Sequence, residues 1–327
     1  MPAHNAEQTV EAAVRSILRQ TLADFELVIV DDGSTDTTPD VLRSLAARDD
    51  RVRLIFAPHR GIIHALNAGI AACDAELVAR MDADDISHPR RLALQARLME
   101  NQPEVSVCSS LVRMFPRESL LGGLVSYEQW LNALLSHDDM ARDIFVESPI
   151  AHPSVMFRRR EFIDLGGYRD RGWAEDYDLW LRYHAAGKRF AKVAESLLFW
   201  RQAEGRLTFA DPRYSLENFL RAKAHYLAAM LAPSGRPVVL WGAGRMGRRI
   251  SKHLMREGVG IEAVIDIDPK KIGHTMRGVP IVSSEYLSEH PGCLVIAAVG
   301  SRGARKLIRE QLVARGLVEI LDFVCAA

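Results

Sequence analysis

The sequence predicts an α/β protein in which parallel sheets are flanked by helices. Short β-rich runs alternate with helical patterns through the first half of the 327-residue chain, which is typical of βαβ units. A second alternation begins at residue 238, after a segment rich in proline and glycine. We therefore predict a first domain over residues 1–232, a linker over 233–237 and a smaller α/β domain over 238–327.

The individual elements follow from the periodicity of apolar residues. A stripe formed by Val10, Val14 and Ile17 predicts the first helix, with Asn5 as its cap. A continuous apolar run predicts a strand that is buried on both faces and ends at Asp31. Helices are predicted around residues 41–45, 63–72, 92–99 and 214–231, and strands at residues 25–30, 52–56, 77–81, 105–109, 238–241, 263–267 and 294–299.

The chain opens on a turn that leads into the first helix. In a sheet of this kind an apolar strand normally precedes such a turn. We therefore expect either that the first strand is truncated or that the true start lies upstream of Met1.

The composition narrows the class of protein. The 42 Lys and Arg residues balance the 42 Asp and Glu residues, so no overall field favours nucleic acid as a partner. The four cysteines lie far apart without a Cys-x-x-Cys pair, which argues against a zinc site and a disulfide framework. No apolar stretch reaches the length of a membrane span. We expect a cytoplasmic protein, with any membrane contact peripheral and at the inner face.

The strongest chemical signal is Asp82-Ala83-Asp84-Asp85 at the end of a predicted strand. Alternate side chains of an extended segment point to one side, so Asp82 and Asp84 can converge. Two convergent carboxylates repel one another unless a cation joins them, and Mg²⁺ or Mn²⁺ suits such ligands. An acidic turn that is merely solvated fits the spacing equally well.

Several further motifs occur in the same order as in a known family. The chain closely resembles the inverting family 2 glycosyltransferases of the GT-A fold over roughly residues 1 to 205. The residues that carry this resemblance are Asp31-Asp32-Gly33-Ser34, Leu66-Asn67-Ala68-Gly69, Asp82-Ala83-Asp84-Asp85, Pro89-x-Arg91-Leu92-x-x-Gln95, His152-Pro153-Ser154 and Glu175-Asp176-x-Asp178.

The resemblance implies a nucleotide-sugar donor, with a UDP-sugar as the first expectation. Asp32 matches the position that recognises the base, and Asp31 either supports it or caps the next helix. Asp82 is implied to contact the ribose or the metal, and Asp84 to bind the metal directly. The donor-binding set is completed by Pro2, His4, Arg60 and Asn67. His152 is implied as a further metal contact, although a packed histidine is the simpler interpretation, and Arg60 is equally compatible with a surface arginine.

A transferase of this kind needs a base that removes the proton of the acceptor hydroxyl. Glu175 and Asp176 stand where the family carries its Glu-Asp pair, and Asp176 matches the usual base. Acidic residues in the first turn of a helix also stabilise it, so a capping role fits the same two residues.

The last 90 residues contain a second signal. Gly242-Ala243-Gly244-Arg245-Met246-Gly247 follows a predicted strand and opens a helix, and Asp266 ends the next strand. This context is typical of a Rossmann-like nucleotide fingerprint. The segment resembles NAD-type modules, so NAD(P) or another nucleotide is the expected ligand. A glycine-rich turn that serves only close packing remains the alternative.

Together these patterns lead us to expect a metal-dependent inverting glycosyltransferase that acts on a glycan or lipid-linked acceptor in the assembly of a surface polysaccharide. Two other functions remain open. A nucleotide-binding scaffold without turnover is the first, and an NAD(P)-dependent oxidoreductase acting through the Gly242 segment is the second.

Overall fold

The computed structural model describes residues 1–203, 211–301 and 303–327. The chain forms two compact units. The first contains Met1–Met140, Pro149–Arg171 and Asp178–Arg206, and the second contains Ala141–Ser148, Gly172–Tyr177 and Leu207–Ala327.

The first unit opens with a parallel three-stranded sheet in the order β1-β2-β3. Its strands are β1 (Pro2–Ala3), β2 (Leu27–Asp32) and β3 (Val52–Ala57). Every residue of β2 is buried, as its apolar run predicts for a central parallel strand. The position before the first turn, where we predict a truncated strand, holds the two-residue strand Pro2–Ala3, which pairs with Val30 and Asp31.

A mixed five-stranded sheet in the order β4-β7-β6-β8-β5 completes the strands of this unit. The members are β4 (Leu77–Ala79), β5 (Ile86–Ser87), β6 (Val105–Phe115), β7 (Met156–Arg158) and β8 (Arg189–Arg201). The long β6 and β8 run parallel to one another, whereas β7 pairs antiparallel with β4 and β6. The sequence predicts a parallel sheet. This sheet is mixed, so that prediction is wrong here. The short β4 and β5 bracket the acidic segment at residues 82–85.

The helices of the first 200 residues cover the apolar stripes that predict them. The first helix buries Val10, Ala13, Val14 and Ile17. Its cap position is Thr9 and not Asn5, because the Asn5 side chain accepts a hydrogen bond from the Thr35 amide at 2.8 Å instead. The helices are Val10–Leu18, Thr38–Ala46, Ile62–Ala71, Arg91–Asn101, Gly122–Ala133, His137–Asp143, Arg159–Asp164 and Glu175–Ala185.

The second unit is built on a six-stranded sheet in the order β11-β12-β10-β9-β13-β14. The strands are β9 (Val238–Trp241), β10 (Ile261–Ile265), β11 (Thr275–Met276), β12 (Val279–Val282), β13 (Leu294–Ala297) and β14 (Phe323–Cys325). All pairings except that of β11 with β12 are parallel. Its helices are Leu216–Leu231, Arg245–Arg256, Tyr286–Glu289 and Ala304–Ala314.

The segment predicted as a linker is a short connection. Residues Ala232–Ser234 form a 3-10 turn, and Gly235 adopts a left-handed conformation with a φ of 60°. The helix Leu216–Leu231, which our prediction assigns to the first domain, belongs by its contacts to the second unit. In the part of the chain that the structure describes, no helix is long and apolar enough to cross a membrane.

A buried lysine fixes the inner face of β8. The Lys192 ammonium group donates hydrogen bonds to the carbonyl oxygens of Leu131 at 2.7 Å and Pro149 at 3.4 Å. Burial lowers the pKa of Lys192 to about 7. An unfolded lysine keeps its proton up to about pH 10, so the unfolded chain binds more protons than the folded chain between these two values.

We therefore expect the free energy of unfolding to rise between about pH 7 and about pH 10 through this group, by at most ~1.4 kcal/mol per pH unit. Urea denaturation across this range measures the slope. Lys192→Met should flatten it, whereas Lys306→Met, which changes a lysine whose side chain is 83% exposed, should not. An equal slope in the wild type and in Lys192→Met would contradict the assignment.

Candidate active site

Three carboxylates converge where β4 ends. Asp82, Asp84 and Asp85 offer oxygen atoms that lie within 4.8 Å of one another. Asp82 and Asp84 are half-buried, whereas Asp85 is fully buried. Oxygen donors of this type suit a hard divalent cation, so the donor set fits Mg²⁺ or Mn²⁺.

Two hydrogen bonds with Arg201, the last residue of β8, hold this acidic segment in place. The Asp85 carboxylate accepts a hydrogen bond from the Arg201 amide at 2.8 Å. The Arg201 guanidinium donates in turn to the carbonyl oxygen of Asp84 at 2.7 Å. Asp85 therefore anchors the turn, which agrees with a supporting role beside Asp82 and Asp84.

Asp82 is already paired with a buried cation. The Arg80 guanidinium donates to both carboxylate oxygens of Asp82, at 2.8 and 2.6 Å. Arg80 is only 5% exposed. A bidentate pair of this geometry is among the stronger charge-assisted interactions, so Asp82 and Arg80 act as one rigid group.

The Asp32 carboxylate binds the loop that follows β3. One oxygen accepts the Arg60 amide and the other accepts the Gly61 amide, both at 2.9 Å. The His59 ring nitrogen Nδ1 lies 2.9 Å from the second oxygen. Asp32 is 3% exposed, so its first contribution is to fix this loop.

Two histidine rings stack above Asp32. The rings of His4 and His59 lie 4.1 Å apart with an interplanar angle of 21°. The Nδ1 atom of each ring lies within 3.0 Å of the Asp32 carbonyl oxygen. A carbonyl oxygen only accepts, so both rings carry their proton on Nδ1. The stack presents a flat, partly exposed surface at the end of β2.

Asp31, Arg60 and Asn67 each form hydrogen bonds within the protein. The Asp31 carboxylate accepts the Ser34 amide at 3.3 Å and so stabilises the turn after β2. The exposed Arg60 side chain donates to His64 at 2.8 Å. The Asn67 amide group exchanges two hydrogen bonds with the Tyr168 backbone, at 2.9 and 3.0 Å, and its assignment to the donor pocket stays a prediction.

His152 lies in a packed environment and outside the carboxylate cluster. Its Nε2 atom is 2.7 Å from the Tyr168 hydroxyl, and its ring packs edge-on against Trp180. Burial, reinforced by the charge of Arg80, holds the pKa of His152 well below its usual range. The metal contact implied for His152 finds no support in this geometry, because the ring has a packing role instead.

The Glu175-Asp176 pair belongs to the second unit and opens the helix Glu175–Ala185. Glu175 is 1% exposed, and the Tyr214 hydroxyl lies 2.9 and 2.7 Å from its two carboxylate oxygens. Burial, together with the charges of Glu175 and Asp176, raises the pKa of Tyr214, which therefore stays a donor. Asp176 is half-buried, so it is the more accessible carboxylate of the pair.

Arg80 and Tyr214 are functional candidates that sequence reasoning missed. A signal existed for Arg80, because residues two apart on an extended segment point to the same side, and Asp82 follows at that spacing. Tyr214 lies 39 residues from Glu175 in the chain, and no spacing rule connects them.

A cavity of about 730 Å³ lies at the carboxyl ends of β9, β10 and β13 in the second unit. Gly242, Gly244 and Asp266 line it, with Arg245, Arg249 and Lys271 as basic neighbours. Such crevices at the carboxyl ends of parallel strands are the usual ligand sites of open α/β sheets.

Two glycines of the fingerprint serve packing. A Cβ atom on Gly247 would lie 1.7 Å from the Gly242 carbonyl oxygen, so the helix could not approach the strand. Gly242 itself has a φ of 125°, a conformation that side-chain-bearing residues avoid. A Cβ atom on Gly244 would meet nothing within 4 Å. The packing explanation therefore covers Gly242 and Gly247 but not Gly244.

Asp266 holds the glycine-rich loop. Its carboxylate accepts the amides of Ala243 and Asp268, both at 2.9 Å, and pairs with Lys271 at 3.1 Å. Burial raises the pKa of Asp266, but these donors outweigh burial and leave the pKa below its ordinary value. Asp266 is therefore ionised and fixed in place at the rim of the cavity.

Comparison with known proteins decides the family. Residues 1–166 match the model described as "Glycosyl transferase family 2", which is just over half of the chain. This protein belongs to glycosyl transferase family 2. Residues 234–323 of the family 2 transferase match a second model, described as "CoA binding domain", in agreement with the Rossmann-like architecture of its six-stranded sheet.

Curated relatives of the family 2 transferase include two bacterial enzymes. The amylovoran biosynthesis glycosyltransferase AmsE of Erwinia amylovora is 32% identical over 58% of this chain and 70% of the relative. The O-antigen biosynthesis glycosyltransferase WbnJ of Escherichia coli is 28% identical over 68% of this chain and 88% of the relative.

Solved structures agree with the fold. The crystal structure of S. aureus TarS 1–349 in complex with UDP-GlcNAc has a TM-score of 0.57 at 17% identity, over 78% of this chain and 70% of that chain. Against a longer TarS chain the match spans 38% of that chain. At this identity the likeness shows the fold alone. The GT-A fold that the sequence predicts for the family 2 transferase is thereby confirmed.

Proposed function

We propose that this glycosyltransferase moves a sugar from a UDP-sugar to an acceptor hydroxyl, with a divalent cation and with inversion at the anomeric carbon. The observation that carries the proposal is the convergence of Asp82, Asp84 and Asp85 within 4.8 Å at the end of β4. Arg80 offsets the charge of Asp82, and the oxygens of Asp84 and Asp85 add donors of the kind that Mg²⁺ and Mn²⁺ prefer.

In this proposal Asp84 is the principal ligand of Mg²⁺ or Mn²⁺. The metal, when bound, stabilises the negative charge that develops on the departing diphosphate. Asp85 supports Asp84 by holding the turn against the Arg201 amide. Donors and charges that are fixed in advance act most strongly where charge develops, and the anchoring by β8 supplies that rigidity.

The loop at residues 59–61 and the histidine stack form the proposed base pocket. Asp32 fixes the loop through the amides of Arg60 and Gly61. The stacked rings of His4 and His59 offer a flat aromatic surface on which a nucleobase can pack. Pro2 and the backbone at the end of β2 complete this wall.

Asp176 is the proposed base. It takes the proton of the acceptor hydroxyl while the hydroxyl oxygen bonds to the anomeric carbon, and the bond to the diphosphate breaks with its electron pair leaving on the phosphate oxygen. Asp176 is chosen over Glu175 because the Glu175 carboxylate is buried and bonded to Tyr214. Attack opposite the leaving group inverts the configuration.

The acceptor class follows from the relatives alone. AmsE is described as an amylovoran biosynthesis glycosyltransferase and WbnJ as an O-antigen biosynthesis glycosyltransferase. We place this chain in the same kind of process, with a glycan or lipid-linked acceptor. The four unpaired cysteine thiols fit a reducing cytoplasm.

A titration tests the proposal. The full chain is titrated with UDP, UDP-GlcNAc and GDP-mannose, with and without Mn²⁺, and turnover is followed as release of the nucleoside diphosphate. We expect binding of a uridine nucleotide that depends on the metal. Absence of any metal-dependent nucleotide binding would contradict the proposal, and binding without turnover on any acceptor would favour the scaffold instead.

The cavity of the second unit supports a further role as a nucleotide-binding module. Gly244 has an ordinary φ of −81° and open space beside it, so packing does not require a glycine at this position. A ligand that approaches the Gly244 backbone closely would require a glycine there. The match to a CoA binding domain and the basic side chains of Arg245 and Arg249 favour a phosphorylated ligand.

Substitution separates the two roles of the glycines. Gly247→Ala should destabilise the second unit by about 3 kcal/mol or more, because the backbone must move. Gly244→Ala should leave stability within about 0.5 kcal/mol and should weaken binding of a nucleotide. Thermal unfolding with and without CoA, NAD or NADP measures both effects. Stabilisation of the wild type by none of the three would count against the module.

A further inference from the structure

Arg80 is a buried arginine between β4 and the acidic segment. Its guanidinium meets Asp82 through two parallel hydrogen bonds of 2.8 and 2.6 Å. The side chains of Arg80 and Asp82 are 4% and 22% exposed. The arginine is thus enclosed, whereas the carboxylate that it holds reaches the surface.

Two hydrogen bonds fix the backbone of Arg80. Its amide donates to the carbonyl oxygen of Val155 at 2.9 Å, and its carbonyl oxygen accepts from the Arg91 guanidinium. Arg91 is 1% exposed and also bonds to Gln95 at 3.1 Å. The Arg91 and Gln95 positions, which the proposed reaction does not use, therefore support the position of Arg80.

Gln95 links Arg91 to the five-stranded sheet. Its amide group donates to the carbonyl oxygens of Ser154 at 2.8 Å and Cys108 at 3.2 Å, which lie next to β7 and on β6. The backbone of Arg80 is therefore fixed in the sheet, and its enclosed guanidinium holds Asp82.

The pairing changes what Asp82 can do. The fork of Arg80 occupies one lone pair on each Asp82 oxygen and offsets its negative charge. A carboxylate in this state still accepts a hydrogen bond from a hydroxyl group. It is a poor principal ligand for a divalent cation, because the cation would lie close to the guanidinium charge.

We propose that Arg80 is a positioning residue that holds Asp82 as the acceptor for a ribose hydroxyl of the donor and keeps Asp82 from being the principal metal ligand. This inference rests on the proposed function. The charge of Arg80 also adds to burial in holding the pKa of His152 well below its usual range.

Arg80→Met and Arg80→Lys test the proposal through steady-state kinetics in Mn²⁺. We expect Arg80→Met to raise the KM for the donor about tenfold or more, with kcat and the KM for the acceptor within about threefold. The donor KM of Arg80→Lys should lie between those of the wild type and Arg80→Met, because an ammonium group keeps the charge but cannot form the bidentate pair. The two variants should also need less Mn²⁺ for half-maximal activity, since the released Asp82 becomes available to the cation.

A double-mutant cycle with Asp82→Asn identifies the route of the effect. If Arg80 acts through Asp82, the KM of the double variant should match that of the more impaired single variant. Additive effects would show that Arg80 acts on the donor by another route and would overturn the inference. An unchanged donor KM in folded Arg80→Met, or in Arg80→Lys where the methionine variant does not fold, would overturn it as well.

Arg158→Met is the matched control. Arg158 pairs with Glu76 at 2.9 Å and donates to the carbonyl oxygens of Val105 and Met99, so its loss also removes a partly buried guanidinium from the first unit. We expect a lower melting temperature and an unchanged donor KM. Absence of donor binding by the wild type would contradict the proposed function itself. Donor binding by the wild type together with an unaffected Arg80 series would sink this inference alone.

Discussion

Substitution of Asp84 by asparagine is expected to lower kcat/KM for sugar transfer by about a thousandfold or more. The amide retains the size of the carboxylate but loses the charge that holds the cation, while Asp82 remains paired with Arg80. Nucleoside diphosphate release measured over a wide range of Mn²⁺ concentration reports the change. A large part of the loss should persist at saturating metal, because the cation would be bound in the wrong place.

Asp40→Asn provides the control for this experiment. The Asp40 side chain is 79% exposed on the helix Thr38–Ala46, where it pairs with Arg43. Exposed pairs of this kind contribute little, so kcat/KM should stay within about twofold. Wild-type turnover in Asp84→Asn at low Mn²⁺ would remove Asp84 as the metal ligand.

Asp176→Asn should reduce kcat by about a hundredfold to ten-thousandfold, because no group would then accept the proton of the attacking hydroxyl. Binding of the donor should be unaffected, since in our proposal Asp176 serves only the acceptor. Calorimetric titration with the uridine nucleotide and single-turnover kinetics separate the two properties.

Two further variants sharpen this test. Tyr214→Phe removes the hydroxyl that bonds to Glu175 but leaves Asp176 unchanged, so its effect on kcat should be much smaller than that of Asp176→Asn. Asp164→Asn changes an exposed acid in an ion pair with Arg160 and should be neutral. Retained turnover in Asp176→Asn would exclude it as the base.

Much of the fold can be predicted from local pattern. The stripe at Val10, Val14 and Ile17 gives the first helix, and the apolar run before Asp31 gives the fully buried β2. Boundaries moved by one or two residues in most elements, as expected where apolar content continues into the flanking turn. The cap of the first helix was wrong, because Asn5 finds a tertiary partner in the Thr35 amide.

The arrangement of the second sheet could not be predicted in the same way. Strand β6 continues to Phe115 because it pairs along its full length with β8, about 85 residues later in the chain. The sequence pattern of either strand alone contains no information about this partner. The same limit applies to the division into units, since contacts and not periodicity place the helix Leu216–Leu231 with the C-terminal sheet.

Some features of the candidate site could be predicted from the sequence, and others could not. Asp82 and Asp84 are predicted to converge, and the structure brings their carboxylates together. They lie on a turn in which the Asp85 amide bonds to the Asp82 carbonyl oxygen at 3.4 Å, so the alternation of a strand is not the reason. The occupied side chain of Asn67 could not be foreseen, because its partner is the backbone of Tyr168, 101 residues away. The roles of Asp32 and Asp176 stay predictions that the experiments above address.

The second unit draws residues 141–148 and 172–177 from the middle of the chain into its own packing. The buried Lys223 ammonium bonds to the carbonyl oxygens of Val146 and Ala326, and Asp143 pairs with Arg309. The Glu175-Asp176 pair lies in the same unit as these contacts and as β14. A replacement of the C-terminal sheet would therefore have to supply new partners for Asp143 and Lys223.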